Sequence, residues 1–140
     1  MSTLEKAIII ATQAHEGQVD KGGNPYILHP LRVMLKMTTK ESMITAVLHD
    51  VLEDTEVTIE DLQQAGFSEE IIAAVVALTR QEGEIYMDFI KRAKLNPIAR
   101  HVKLGDLEDN TDLSRIPNPT DQDYSRINRY KKAIQKLLSS

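Results

Sequence analysis

Residues 48–55 read Leu48-His49-Asp50-Val51-Leu52-Glu53-Asp54-Thr55, and they follow an apolar run that begins at Ile44. A helix places residues four apart on one face, so Glu53 would lie one turn above His49. Asp54 stands in the same relation to Asp50. An imidazole and several carboxylates would then project together from the end of a buried helix. This pattern is typical of a metal site, although alone it equally fits a solvated helix end with a hydrogen-bonded histidine.

Two distant stretches supply further candidate ligands. Residues 26–30 contain His29 next to a proline, and residues 102–110 contain Asp106 late in a predicted helix. Positions 98, 102, 106 and 110 are spaced by four, so one stripe of this helix changes from apolar to polar along its length. Gly105 costs a helix about 1 kcal/mol relative to alanine. Its presence therefore suggests that another helix or a ligand approaches closely there.

The candidate ligands form a mixed nitrogen and oxygen set without sulfur. They are His29, His49, Asp50 and Asp106. Such a set fits Mn²⁺, Fe²⁺ or Zn²⁺ better than a dedicated Ca²⁺ site. A divalent ion can lower the pKa of bound water from about 15.7 to about 7. Glu53 and Asp54, one turn from the ligands, would orient that water and carry its proton.

Length and composition limit the class of protein. The chain has 140 residues, of which 41% are hydrophobic and 27% charged, which predicts one ordered domain over residues 1–140. The absence of cysteine excludes disulfides, thiolate zinc sites and a cysteine nucleophile. The apolar run at residues 7–11 is too short for a signal peptide or membrane span, so we expect a cytoplasmic protein. A net charge of −4 argues against general nucleic-acid binding.

Apolar residues recur at three- and four-residue intervals, and no stretch alternates as a strand would. Start and stop signals divide the chain into eight predicted helices. The starts lie at Thr3, near Pro30, at a Thr38-x-x-Glu41 capping box, and at Thr58, Ser68, Glu84, Asn96-Pro97 and Thr120. The third helix is expected to continue to about Thr55, and Lys21 is placed on a loop at residues 19–25. The sequence therefore predicts an all-α fold.

Charged residues and the remaining histidines give further expectations. Basic residues gather in the last predicted helix, whereas acids dominate residues 53–70 and 106–112. Such polarity would suit a metal ion at one wall and an anion at the other. His15 is expected to be packed or hydrogen-bonded rather than a fifth ligand, and His101 to be exposed.

The motifs occur in a recognisable order. They are Ala14-His15-Glu16-Gly17-Gln18, Pro25-Tyr26-Ile27-Leu28-His29-Pro30, His49-Asp50-x-x-Glu53-Asp54-Thr55, Lys103-Leu104-Gly105-Asp106 and Asn110. In this combination the chain resembles the HD-superfamily hydrolase domain of RelA/SpoT-type enzymes, most closely their small stand-alone versions, over residues 5–138. The resemblance implies an all-α, single-domain HD-type bundle of helices.

The resemblance also implies a chemistry. It makes His29, His49, Asp50 and Asp106 the ligands of a divalent metal ion, most often Mn²⁺. Glu53 and Asp54 become the catalytic pair. The implied reaction is hydrolysis of the 3′-pyrophosphate of guanosine tetra- or pentaphosphate, which releases pyrophosphate. The residues that match the family's substrate contacts are Lys21, Asn110, Arg126 and Tyr130.

The chain departs from the family pattern in two places. Alarmone hydrolases of this family usually have Arg-Lys in the loop before the His-Pro motif, with the arginine on the base, whereas here the pair is Asp20-Lys21. After Asp106 they usually carry Arg or Lys and a later His or Tyr, whereas residues 107–109 here are Leu-Glu-Asp. An anion at position 20 would repel phosphate. We therefore expect weak activity on guanosine tetraphosphate, or a preference for a different base.

Three functions are compatible with these residues. The leading one is a metal-dependent phosphohydrolase that acts on a nucleotide polyphosphate. An HD-type nucleotidase or phosphatase would release orthophosphate instead, and a non-catalytic nucleotide-binding HD protein would bind without turnover. Because Glu53 and Asp54 accompany a full ligand set, we expect an enzyme. Its partner would be a small nucleotide, with no role for nucleic acid or membrane, and the oligomeric state is left open.

Overall fold

The structure is a computed structural model that describes residues 2–139. Within this range the regular structure is helical, apart from an isolated bridge between Val19 and Pro25. The helices are α1 (Leu4–Ala14), α2 (Leu28–Leu35), α3 (Lys40–Leu48), α4 (Val51–Asp54), α5 (Ile59–Gln64), α6 (Glu69–Ala77), α7 (Tyr86–Lys94), α8 (Pro97–Asn110), a 3₁₀-helix (Leu113–Arg115) and α9 (Asp121–Leu138). The all-α prediction is confirmed.

Side-chain caps explain where most helices begin. At five of the predicted starts the side chain accepts a backbone N–H in the first turn of the helix, namely at Thr3, Thr58, Ser68, Asn96 and Thr120. The prediction for α3 was wrong by one residue, because Thr39 is the cap rather than Thr38. The buried hydroxyl of Ser42 closes this capping box, so Glu41 is not needed for it.

The predicted third helix is interrupted at the His49-Asp50 pair, which corrects the expectation of a continuous helix to Thr55. The backbone N–H of His49 donates to the carbonyl of Ala46, three residues back, at 3.3 Å. The ring Nδ1 of His49 lies 2.5 Å from the same carbonyl oxygen. Because both groups bond to one carbonyl three residues back, the last turn of α3 has the tighter hydrogen-bond pattern of a 3₁₀-helix. A separate helix, α4, begins at Val51. His49 and Asp50 therefore lie at a break between two helices.

The central helix is α3, which packs against α1, α2, α6 and α8. Helices α2 and α8 approach each other closely at Gly105, where an added Cβ would lie 2.9 Å from Met37 Cε and 3.4 Å from Val33 Cγ1. The expectation that Gly105 permits a close approach is confirmed, and the partner is α2. Contacts of His29 with Asp106 and Asp109 place the start of α2 beside the last turns of α8. None of the helices between residues 2 and 139 combines the length and apolar character needed to cross a bilayer.

Candidate metal centre

Three predicted ligands from three separate helices converge in the interior. His29 comes from α2, His49 follows α3, and Asp106 belongs to α8. The Nε2 atoms of His29 and His49 lie 2.8 and 3.3 Å from Asp106 Oδ1. One candidate ligand atom from each residue lies within 4.8 Å of the others, and all three residues are buried. The cluster therefore has the spacing of donor atoms around one ion.

The fourth predicted ligand, Asp50, borders this cluster. Its Oδ2 lies 3.1 Å from His49 Nε2 and 3.9 Å from His29 Nε2. The hydroxyl of Tyr26 donates a short hydrogen bond to the same oxygen. The structure thus brings all four predicted ligands together, and their binding of a metal ion stays a prediction.

The orientation of the two imidazoles fits a cation. Nδ1 of His29 lies 2.6 Å from Asp109 Oδ2, and Nδ1 of His49 faces the carbonyl of Ala46. Because both partners can only accept, each Nδ1 must carry a proton, and in neutral rings the Nε2 lone pairs then face Asp106. Nitrogen lone pairs and carboxylate oxygens at these distances repel each other unless a proton or a cation lies between them. A divalent ion would satisfy all of them.

The pKa shifts in the centre show the same need for positive charge. Burial lowers the pKa of His49, but the carboxylates of Asp50 and Asp106 outweigh burial and raise this pKa well above its usual value. Burial raises the pKa of Asp106, but Lys103 and His49 outweigh burial and lower it well below its usual value. Both shifts favour additional positive charge at the centre.

The predicted catalytic pair, Glu53 and Asp54, lies in a cleft beside the predicted ligands. This metal cleft has a volume of about 240 Å³, and Asp50 and Asp106 are among the residues that line it. Glu53 Oε1 accepts the backbone N–H of Arg80 at 2.9 Å, which fixes its position. Burial, followed by the charges of Asp50 and Glu53, raises the pKa of Asp54 to about 6. A carboxylate with this pKa is mostly ionised at neutral pH and still basic enough to accept a proton.

The four predicted substrate contacts also lie together. They line a second pocket of about 410 Å³, and they are Lys21, Asn110, Arg126 and Tyr130. Tyr26, Asn110 and Tyr130 line both this pocket and the metal cleft, so the two spaces adjoin. Asn110 donates to Asp106 Oδ1 at 3.1 Å, which links the pocket to the centre. The substrate roles of these residues stay predictions.

The other two histidines lie as expected. His15 is buried, and its Nδ1 lies 2.8 Å from Gln18 Oε1. Gln18 in turn donates to the carbonyl of Asp54 at 3.0 Å. His101 is exposed on α8. The packing and hydrogen bonding of His15 and the exposure of His101 are confirmed, whereas the expectation that His15 is not a ligand stays a prediction.

Sequence reasoning missed the residues that hold the ligands in place. Asp109 contacts His29, and Lys103 donates to Asp106 Oδ2 at 2.8 Å. Both lie three positions from Asp106 on α8, and this spacing was a usable signal that they share its face. Tyr26 is 24 residues from Asp50, and no local pattern could have linked the two. Arg80, Tyr86 and Arg129 were missed as parts of the cleft for the same reason.

Comparison with known proteins places this centre in a family. Residues 7–94 match the family described as "HD domain". The guanosine-3′,5′-bis(diphosphate) 3′-pyrophosphohydrolase of Aquifex aeolicus is 34% identical over 119 residues, which cover 76% of this chain and 17% of that protein. The bifunctional (p)ppGpp synthase/hydrolase SpoT of Escherichia coli (strain K12) is 42% identical over 65 residues, which cover 44% of this chain and 9% of that protein.

A solved structure agrees in fold. It is described as "A metazoan ortholog of SpoT hydrolyzes ppGpp and plays a role in starvation responses", and it matches with a TM-score of 0.82 at 22% identity. The match covers all of this chain and 87% of the other. The whole of this chain thus has the fold of the matched part of that hydrolase, whereas it spans less than a fifth of the length of the two curated relatives. By the match over residues 7–94 and the geometry of the centre, this chain belongs to the HD domain family.

Proposed function

We propose that this protein is a metal-dependent phosphohydrolase that removes pyrophosphate from the 3′-position of guanosine 3′,5′-bis(diphosphate) or a similar nucleotide. The main support for the proposal is the convergence of three buried side chains, His29, His49 and Asp106, with the half-buried Asp50 at their edge, beside a pocket of about 410 Å³. The names of the relatives support the substrate class, since the Aquifex aeolicus protein is a 3′-pyrophosphohydrolase.

The metal ion would be held by the four clustered side chains, which are His29, His49, Asp50 and Asp106. We expect this ion to be Mn²⁺, although the same ligands also suit Fe²⁺ or Zn²⁺. When bound, such an ion polarises a phosphoryl oxygen and makes water a better nucleophile. Asp109 and the carbonyl of Ala46 would keep both imidazoles turned toward it.

The protein's own carboxylates would handle the proton. Water adds its oxygen to the phosphorus attached to the ribose 3′-oxygen, and the bond between that phosphorus and the 3′-oxygen breaks. One proton of the water passes to the Glu53 and Asp54 pair and then to the departing 3′-oxygen, so the products are pyrophosphate and a nucleoside 5′-diphosphate. Burial and the neighbouring charge of Glu53 raise the pKa of Asp54, which suits this carboxylate to both transfers.

The test is a screen of nucleotides and guanosine alarmones with Mn²⁺, in which pyrophosphate and orthophosphate are measured separately. We expect pyrophosphate from guanosine tetraphosphate. Glu53→Gln should keep the metal and lose about 10²- to 10⁴-fold of the turnover. Glu60→Gln, which changes an exposed glutamate on α5, is the matched control. Release of orthophosphate alone would instead indicate a nucleotidase, and binding without turnover would indicate a nucleotide sensor.

A further inference from the structure

One wall of the metal cleft is basic, and its residues have no role in the steps proposed above. Arg80, Lys103 and Arg129 line the cleft together with the carboxylates of the centre. The guanidinium carbons of Arg80 and Arg129 lie 5.5 and 5.0 Å from the ring centroid of Tyr86. These distances allow cation–π attraction, so the ring of Tyr86 acts as a platform that holds both guanidinium groups at the cleft.

Two of these cations have no acidic partner. Among residues 2–139, no carboxylate oxygen lies within 4.0 Å of the guanidinium nitrogens of Arg80 or Arg129. Arg80 uses only Nε, which donates to the carbonyl of Glu84 at 3.0 Å, so its terminal nitrogens stay available. Lys103 differs, because it is already bound to Asp106. The two arginines are therefore the free cations of this wall.

A neutral donor lies at the same place. The hydroxyl of Tyr86 is buried, and it has no hydrogen-bond partner within the described range. A buried hydroxyl without a partner is costly, so a ligand that accepts its proton would be favoured. The wall is also tied to the catalytic pair, since the backbone N–H of Arg80 donates to Glu53. A ligand on this wall would thus lie next to the reacting groups.

Size and charge indicate which ligand fits. The cleft of about 240 Å³ has room for about eight water molecules, which suits phosphate groups but not a whole nucleotide. A nucleoside would occupy the adjoining pocket of about 410 Å³. Once a divalent ion offsets the carboxylates of the centre, the wall adds unpaired positive charge. The ligand is therefore a compact phosphate group that reaches beyond the metal centre.

We propose that Arg80, Arg129 and the Tyr86 hydroxyl bind the distal phosphate of a substrate's 3′-diphosphate, while the phosphate attached to the ribose lies at the metal centre. The inference rests on the proposed function and deepens it. The wall would make the enzyme select diphosphate over monophosphate esters, because a monophosphate leaves both guanidinium groups without a partner.

The experiment measures binding of inorganic pyrophosphate and of orthophosphate by calorimetry, with Mn²⁺ kept in excess over the anion. Arg80→Gln and Arg129→Gln should each weaken pyrophosphate binding about tenfold or more, because each removes a charge-assisted contact. Tyr86→Phe keeps the ring and should weaken it by a smaller factor. Orthophosphate binding should change little. Arg100→Gln, on the far part of α8, is the matched control and should behave like the unchanged protein.

Activity gives a second readout. For guanosine tetraphosphate, Arg80→Gln and Arg129→Gln should lower kcat/KM about tenfold or more, and binding of guanosine 5′-diphosphate should not change. A variant that combines Arg80→Gln and Arg129→Gln gives the strictest test. Unaltered pyrophosphate binding and unaltered kcat/KM in this double variant would overturn the inference. Because the binding measurement needs no turnover, it tests the basic wall independently of the proposed hydrolase activity. Pyrophosphate binding that depends on both arginines in a protein without hydrolase activity would support the wall and contradict the proposed function.

Discussion

A single carboxylate decides which nitrogen of His29 faces the metal centre. Asp109 Oδ2 lies 2.6 Å from His29 Nδ1, and Arg32 donates to both oxygens of Asp109 at 2.7 and 3.0 Å. Arg115 donates to the carbonyl of Asp109 at 2.8 Å. Burial raises the pKa of Asp109, but His29 and Arg32 outweigh burial and lower it well below its usual value. Asp109 therefore stays ionised and holds the ring in one tautomer.

Replacement of this carboxylate should weaken metal binding without removing any ligand. We expect Asp109→Asn to lower Mn²⁺ affinity about 10- to 100-fold, because the neutral amide holds the His29 proton less strongly and can present its NH₂ instead. Calorimetric titration measures the affinity. In the Zn²⁺-loaded protein, the ¹⁵N shifts of the His29 ring should show mixed tautomers. Asp121→Asn, an exposed change at the start of α9, is the control. Equal affinity in both variants would make Asp109 a packing residue only.

Local sequence signals predicted the helices well and the contacts between helices poorly. Caps such as Thr58 and Ser68 act within three residues of themselves, so the sequence contains the whole interaction. The break after α3 was not predictable in this way. It depends on the position of the His49 ring, and this ring faces Asp106 on α8. The motifs predicted which residues would be ligands. The two arginines of the basic wall, Arg80 and Arg129, are almost fifty positions apart, so no local pattern could have linked them.

The loop at residues 19–25 shows how one element controls the substrate pocket. Asp20 Oδ1 accepts the backbone N–H groups of Gly22 and Asn24, both at 2.9 Å. Gly22 lies against the 3₁₀-helix, where an added Cβ would be 2.2 Å from the carbonyl oxygen of Arg115. The carboxylate therefore organises the loop that carries Lys21. This gives Asp20 a structural role in addition to its effect on the charge of the pocket.

Two substitutions at position 20 separate these roles. Asp20→Asn keeps an acceptor oxygen for the loop and removes the negative charge, so KM for guanosine tetraphosphate should fall several-fold with an unchanged Tm. Asp20→Arg adds a planar cation that can stack on a base, an interaction worth about 0.5–2 kcal/mol, but it loses both loop hydrogen bonds. We expect a lower KM together with a lower Tm. If neither variant changes KM, the charge of Asp20 does not affect the substrate.

The metal centre joins parts of the chain that are far apart in sequence. Its ligands come from α2, from the break between α3 and α4, and from α8. The adjoining cleft is lined by Tyr86 on α7 and by Arg129 and Tyr130 on α9. An ion that binds only the folded arrangement stabilises the entire domain. Loss of the ion should therefore be seen in global unfolding as well as in activity.

Stability without metal should fall as the pH rises above neutrality, whereas the metal-loaded protein should resist this change. Burial lowers the pKa of His29, but Asp106 and Asp109 outweigh burial and raise it, and the pKa of His49 is raised as well. A raised histidine pKa stabilises the fold fully below the unfolded value of about 6.5, and this contribution is lost as the pH rises through the folded value. Asp54, with a pKa raised to about 6, acts in the same direction but is largely ionised by pH 7.

The measurement is thermal unfolding, followed by circular dichroism between pH 6.5 and 8, in EDTA and in excess Mn²⁺. In EDTA the Tm should fall with pH, by about 2–4 °C for each kcal/mol lost. With Mn²⁺ the ion replaces the two imidazole protons, so its affinity increases with pH and the gap between the two curves should widen. In His49→Gln the gap should shrink at every pH, because a ligand and a titrating group are both lost. Parallel curves for the unchanged protein would mean that no proton is exchanged for metal, and the four-ligand centre would then be wrong.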